Sequence, residues 1–345
     1  MFNQVVIENF RGISSAKIDG LKNVNLFFGK NNCGKSSVLD AFFLISGPSN
    51  PALPININFF RGYNKVSRND IRLDFYQLND NIPIHLYAKD GEERDLSVSA
   101  IELGQRNVSL SGSDEGSISS QAEKRYGFKM SYTIDGNPFT SQLEIDASDI
   151  SKAVTKADKK YNETIRCRYV SPKFDFMASI QGLSSIIQNK DEVFILDALK
   201  LIEPTVRDFV IAGQDLLVDV GLKERIPINL LGDGARKIVA LLTAVYDCKN
   251  GIVLVDEISN GFHYSVMTSL WETLLIASEK NNTQLFATTH DIDSIKGLIG
   301  AARQTKSEGR VSAYKLVKGD DGVIQSFPFS VENIDYALKQ EIEIR

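Results

Sequence analysis

Apolar and polar positions alternate at the start of the chain. Gln4-Val-Val-Ile-Glu-Asn-Phe10 predicts an edge strand, and the largely apolar Val24-Asn-Leu-Phe-Phe28 predicts a strand that feeds a glycine-rich turn. After that turn the spacing changes to helical: Val38, Leu39, Phe42 and Phe43 share one face of Ser36 to Ile45, and Gly47-Pro48-Ser-Asn-Pro51 ends the helix. Between residues 71 and 145 the pattern is again period two, in Ile71 to Tyr76, Ile82 to Tyr87, Leu96 to Ile101 and Met130 to Ile134. The turns there carry Asp90-Gly91 and Asp135-Gly136, which predicts an antiparallel β-lobe. The Ser/Gly-rich piece from Ser109 to Ser120 reads as a mobile loop. Helical spacing returns at Ala178 to Ile187, Asp191 to Ile202 (closed by Pro204) and, most strongly, Gly234 to Tyr246, with a short strand at Asp215 to Val220. The last third reads strand (252–255), helix (264–279), strand (284–288), helix (291–302) and a hairpin turning at Asp320-Asp-Gly322. Strands alternating with helices imply a parallel sheet, so the fold class is α/β with a mainly parallel core.

Composition changes this picture little. With 345 residues and 43% hydrophobic content the chain can bury a large core. No apolar run approaches a membrane span and no signal-peptide pattern opens the chain. The cysteines Cys33, Cys167 and Cys248 are too scattered for a metal pair and odd in number for a disulfide framework, so the expectation is a cytoplasmic protein with no membrane partner. A net charge of −5 gives no overall attraction to nucleic acid. One local exception is Lys152 to Lys173, where Lys152, Lys156, Lys159, Lys160, Arg166, Arg168 and Lys173 face only Asp158 and Glu163. Tyr161 and Tyr169 are interleaved. A solvated helix leading into a strand is the plainer reading of that stretch.

The chemistry lies in two distant segments. Gly29-Lys-Asn-Asn-Cys-Gly34-Lys35-Ser36 fits the phosphate-loop pattern, a match expected by chance in roughly 1% of chains of this length. Such a turn aims backbone N–H groups at one point before a helix whose dipole also favours anions. Gly29 and Gly34 let the backbone approach phosphates, Asn31, Asn32, Cys33 and Ser37 complete the loop, Lys35 supplies a point charge and Ser36 a hydroxyl ligand for Mg2+. The second segment, Ile252-Val-Leu-Val255, delivers Asp256 and Glu257 to the end of a buried strand. There Asp256 can hold the metal and Glu257 can position or deprotonate water. His290 ends the following strand, where a γ-phosphate sensor would sit, whereas His85 and His263 read as structural. ATP and Mg2+ are the implied substrate and cofactor.

The order of these segments resembles the ABC-type ATPase superfamily, and more narrowly the head domains of SMC and RecF-type ATPases and the ATPase half of OLD (overcoming lysogenization defect) nucleases. Asn9-Phe10-Arg11-Gly12 is similar to that group's opening, which implies that Arg11 lies near the nucleotide. Asn229-Leu-Leu-Gly232-Asp233-Gly234-Ala-Arg-Lys237 takes the place of the signature motif, and Asp256 to His263, with Asn260, that of the D-loop. The resemblance implies a single head over 1–345: the start of the phosphate-loop core (1–70), a β-lobe (71–175), a helical signature lobe (176–245) and a strand core carrying Asp256 and His290 (246–345). It further implies ATP sandwiched between two heads, with Gly232 and Gly234 offering N–H groups and a helix N-terminus to the γ-phosphate.

Three departures stand out. The signature serine is missing, Asp233 puts a carboxylate where phosphate would approach (with Arg236 or Lys237 as compensating cations), and only Ser171-Pro172 or the distant Gln181 stand near a Q-loop. Slow hydrolysis follows as an expectation. With no sustained heptad pattern and no nuclease segment after His290, the expectation is a head without a coiled-coil arm or a nuclease half. The implied function is a switch ATPase that pairs with itself and controls a separate nuclease or toxin in a phage-defence-type system. Alternatives are a RecF-like DNA-binding repair ATPase and an assembly protein with vestigial hydrolysis.

Overall fold

The computed structural model describes residues 1–63, 65–104, 124–147, 149–173 and 176–340. In chain order its strands are β1 (Gln4–Phe10), β2 (Ile13–Asp19), β3 (Val24–Phe28), β4 (Ile84–Asp90), β5 (Glu92–Gly104), β6 (Lys124–Ile134), β7 (Asn137–Asp146), β8 (Val154–Ala157), β9 (Cys167–Val170), β10 (Asp208–Ala212), β11 (Asp215–Asp219), β12 (Ile226–Pro227), β13 (Ile252–Val255), β14 (Gln284–Thr289), β15 (Val311–Lys318) and β16 (Val323–Phe329). The helices are α1 (Lys35–Ser46), α2 (Leu53–Phe60), α3 (Arg68–Ile71), α4 (Phe176–Gln188), α5 (Glu192–Ile202), α6 (Asp233–Asp247), α7 (Met267–Asn281), α8 (Ile292–Gln304) and α9 (Val331–Lys339).

Among the described residues one sheet runs in the order β8-β7-β6-β5-β4-β1-β2-β16-β15-β3-β14-β13-β9, and β10-β11-β12 form a second, small one. From β15 to β9 every pairing is parallel. β3, β13 and β14 are buried along their whole length, as strands covered on both faces must be. Period-two alternation then divides their side chains between two cores. Phe27, Leu254 and Phe286 face α1, where the Phe42 ring lies 4.5 Å from that of Phe286. Leu26, Val253, Val255 and Leu285 face α6, α7 and α8. The site therefore rests on strands gripped from both sides.

From β8 to β2 the sheet is antiparallel. The turn at Asp135-Gly136 has both central residues at positive φ (48° and 78°), the two-residue geometry that matches strand twist. Here the structure departs from several expectations. β1 is interior, paired with both β2 and β4; its polar Gln4 and Glu8 mark a solvated sheet face, which has the same alternation as an edge. Ile71 to Tyr76 forms helical turns instead of a strand, because Ser67 caps α3 and the Arg11 N–H donates to Asp74 O at 2.8 Å. The basic stretch holds no α-helix: a short 3-10 turn leads into β8, an exposed edge strand, before β9. The Ser/Gly-rich piece from Ser109 to Ser120 lies outside the described residues.

Candidate functional site

β3 ends in the glycine turn that opens α1. Gly29 sits at φ 148° and Gly34 at φ 95°. A Cβ on Gly29 would fall 2.6 Å from the Leu316 carbonyl of β15, and one on Gly34 would fall 2.5 Å from Ile324 Cδ1 of β16. The β15–β16 hairpin thus packs against the turn so closely that only glycine fits. No side chain caps α1, so its first N–H groups are left for an anion. Lys35 is 6% exposed and its Nζ donates to Gly29 O (3.0 Å) and Lys30 O (3.1 Å), which folds the ammonium into the concave side of the loop. Asn31 and Asn32 are exposed at the rim, and Ser36 and Ser37 are half-buried. Cys33 is buried, and burial pushes its thiol pKa up against the pull of Lys35, so it packs the turn as a protonated thiol.

Across the sheet, β13 and β14 deliver the acidic half. The Asp256 N–H donates to Val170 O at the end of β9. Asp256 Oδ1 accepts from Ser36 Oγ (2.9 Å) and from Thr288 Oγ1 (2.6 Å). Two cis ligands of an octahedral Mg2+ at about 2.1 Å lie about 2.9 Å apart, so this hydroxyl–carboxylate pair fits a hard, oxygen-bound cation. Thr288 Oγ1 also accepts the Glu257 N–H at 2.8 Å. Glu257 stands in the left-handed region (φ 53°), and its Oε2 lies 2.6 Å from His290 Nδ1. Ser36, Asp256, Glu257 and His290 are thereby joined through a continuous chain of contacts, and Thr288 is its hub. The sequence reading missed Thr288. Its signal was a hydroxyl pair, Thr288-Thr289, closing an otherwise apolar strand just before His290.

Arg11 sits in a buried cluster beside α1. Its guanidinium is engaged by Asp40, by Asn58 (2.6 Å) and by Asp74 (3.2 Å), so it grips the flank of α1. Asp40 also accepts from Arg61 (3.1 Å) and from Tyr169 OH (3.1 Å). Burial raises both carboxyl pKa values despite these cations, that of Asp74 to about 6. Direct nucleotide contact by Arg11 would require breaking this buried cluster.

The signature turn is split. Gly232, at φ 90°, would have nothing within 4 Å of an added Cβ, and Asp233 is 87% exposed with Arg236 3.7 Å away. Gly234 instead packs closely on the loop after β13: a Cβ there would lie 2.6 Å from Gly261 O. Lys237 is buried and donates to Glu257 O (2.6 Å) and Asn260 O (3.1 Å), which removes it as a counter-charge for Asp233. The Asn260 side chain stands at an exposed position. Gln181 is exposed and shares a cavity with Arg166 and Cys167, at the opposite end of β9 from Ser171. Ser171 follows Val170 and so borders Asp256, leaving Gln181 outside the site.

Residues 24–295, most of the chain, match the family described as "AAA domain, putative AbiEii toxin, Type IV TA system". The chain belongs to this family. An ATP/GTP phosphatase of Helicobacter pylori is 23% identical over 373 aligned positions, covering 99% of both chains. An uncharacterized protein of Methanocaldococcus jannaschii is 36% identical over 84 residues, 24% of this chain and 71% of that one. Among solved structures, an SMC head bound to the C-terminal winged-helix domain of ScpA superposes with a TM-score of 0.53 at 11% identity, over 97% of this chain and 99% of that one. The Pyrococcus furiosus SMC head with an extended coiled coil, bound to the C-terminal domain of ScpA, gives 0.51 at 10% identity, over 99% of both. This chain of the AAA-described family thus has the fold of the SMC heads. The family match runs from β3 into α8 and takes in the phosphate loop, Asp256, Glu257 and His290.

Proposed function

We propose that this ATPase is a nucleotide-held switch, in which two copies enclose ATP and the assembly controls a separate effector protein. The observation that carries this reading is the signature turn. Gly232 and Asp233 stand open at the uncapped N-terminus of α6 while the other face of the same helix is bonded to the catalytic loop. A helix N-terminus of this kind suits an anion brought from outside, here the γ-phosphate on a second copy.

In each head the α1 N–H groups and Lys35 bind the phosphates. Ser36 and Asp256 would hold Mg2+, which would supply positive charge to offset that of the phosphates. Glu257 orients the attacking water and accepts its proton, and His290 holds the Glu257 carboxylate toward the phosphate and senses the γ-position. Asp233 makes phosphate approach to the signature less favourable, and Arg236 offsets part of that charge, which favours slow turnover and a long-lived ATP state. The family description, with its toxin and TA-system terms, supports an effector of toxic character.

The test is to isolate Glu257→Gln with ATP from its native cells and weigh it by light scattering. A species of two or more copies, carrying a stoichiometric second protein, is expected. A monomer indifferent to ATP overturns the switch reading. The second reading, a DNA-binding ATPase, draws on the two ends of β8, where Lys152 before the strand and Lys159 and Lys160 after it are exposed. Lys156 is already paired with Glu144 there, which weakens it. Salt-sensitive duplex binding lost on reversing Lys159 and Lys160 would favour it.

A further inference from the structure

Glu257 is the catalytic-loop residue that the backbone holds in the least comfortable place: φ 53° is left-handed, a region that residues with a Cβ occupy only when the surroundings impose it. Two side chains impose it. Thr288 of β14 takes the Glu257 N–H, and Lys237 of α6 gives an ammonium hydrogen bond to the Glu257 carbonyl. The same ammonium bonds Asn260 O, and the Asn260 N–H itself bonds Glu257 O, so residues 257–260 close into one turn around the Lys237 nitrogen.

Placing a lysine here is costly, because it is 3% exposed and its nitrogen lies 5.8 Å from the centre of the Phe262 ring. Burial pushes its pKa down to about 8, against the pull of Glu257 and Asp256. A methionine would fill the same volume and remove that cost. The lysine begins one turn inside the helix whose N-terminus is the open signature turn, and Gly234 of the same turn packs on Gly261 at 2.6 Å for an added Cβ. Helix and loop are therefore held together by both a hydrogen-bonded ammonium and a close backbone contact.

We propose that Lys237 is a positioning residue for hydrolysis: it fixes the Glu257 backbone from the signature helix, so that engagement of the signature turn is transmitted to the carboxylate that orients water. This rests on the assignment of Glu257 as the residue that activates water. Lys237 touches neither nucleotide nor water in this scheme, and its effect passes through the Glu257 peptide.

The experiment compares Lys237→Met, Lys237→Gln, Glu257→Gln and the double variant Lys237→Met/Glu257→Gln in the full chain, measuring ATP affinity by equilibrium binding and turnover by phosphate release. Misplacing a catalytic group by about 1 Å costs on the order of 100-fold in rate. Expected for Lys237→Met is a turnover loss of about 10- to 100-fold with ATP affinity unchanged within about twofold. Lys237→Gln, which keeps an amide donor for the same carbonyls, should fall between it and the native chain. The double variant should turn over no more slowly than Glu257→Gln, since a misplaced carboxylate and an absent one are equivalent. Native turnover in Lys237→Met overturns the inference, as does a parallel loss of affinity and rate, or a multiplicative loss in the double variant. Should Lys237→Met fail to fold, the same criteria apply to Lys237→Gln alone and combined with Glu257→Gln. Native turnover in Glu257→Gln overturns instead the underlying assignment of Glu257, and so separates the two failures.

Discussion

The two glycine turns of the site are built to opposite specifications. At the phosphate loop, Gly29 and Gly34 are pressed against β15 and β16, Lys35 is folded in and satisfied, and Cys33 is packed beneath. At the signature, Gly232 is open and Asp233 projects into solvent. The first turn is finished by its own chain. The second is finished on its inner side only, by Gly234 on Gly261 and by Lys237 on the catalytic loop. A backbone cradle for phosphate must be rigid before the ligand arrives, so its neighbours are internal. A surface that meets a second molecule leaves its neighbours out. The contrast predicts that damage to the first turn is felt as binding and stability, and damage to the second as turnover and association.

The largest expected effect is that of Lys35→Ala, which should weaken ATP binding by about 100-fold or more in calorimetric titration, since it removes the point charge of the cradle. Unchanged affinity would break the assignment of the loop. Next comes Glu257→Gln, expected to slow phosphate release on the order of 100-fold while ATP binding persists. If binding is lost in parallel, Glu257 belongs with the cradle and not with catalysis.

The glycines test the contrast directly. Gly29→Ala forces a Cβ onto the Leu316 carbonyl and should cost about 2–3 kcal/mol in chemical denaturation. Gly232→Ala meets no neighbour, only a backbone (φ 90°, ψ 173°) that residues with a Cβ rarely adopt, and should cost about 1–2 kcal/mol. Equal costs would erase the distinction between a packed and an open turn.

A pH experiment separates the inner side of the signature helix from its outer side. The folded pKa of Lys237, about 8, lies below the usual lysine value of 10.5, so between these pH values the unfolded chain binds the extra proton. Stability from this group therefore rises as pH climbs from about 8 to about 10.5, by on the order of 1–3 kcal/mol, and the native-minus-Lys237→Met difference should show that rise. Asp233→Ser should leave it untouched. The smallest effect is on turnover: removing the exposed Asp233 carboxylate should raise hydrolysis a few-fold, as a screened surface charge permits no more.

Much of the site was legible because it depends on local spacing. The phosphate loop, the acidic pair closing β13 and the histidine closing β14 are each short motifs whose elements are specified by neighbouring residues. What escaped depended on long-range neighbours. Thr288 looks like any strand threonine until Asp256 and Glu257 arrive from another strand on either side of its hydroxyl. The partners of Arg11, Asp40 and Asp74, are distant in sequence and could not be read from its motif. Lys237 reads as one cation of a basic pair, but helical geometry turns Arg236 toward the surface and Lys237 inward. The alternation in β1 was correct and the inference of an edge was not, because a solvated face and a free edge produce the same period-two pattern.

The sequence by itself determined the α/β class and the order of its motifs, because periodicity and turn chemistry are properties of adjacent residues. It also marked the phosphate-loop pattern and the Asp256-Glu257 and His290 strand ends, from which the roles proposed above are drawn. Tertiary structure alone decided which glycine is packed and which is open, which cation faces the surface and which the 257–260 turn, and which threonine ties the Asp256 carboxylate to the Glu257 backbone. Those choices depend on strands and helices brought together from distant parts of the chain, and distances across a sheet are not written in the spacing of residues along it.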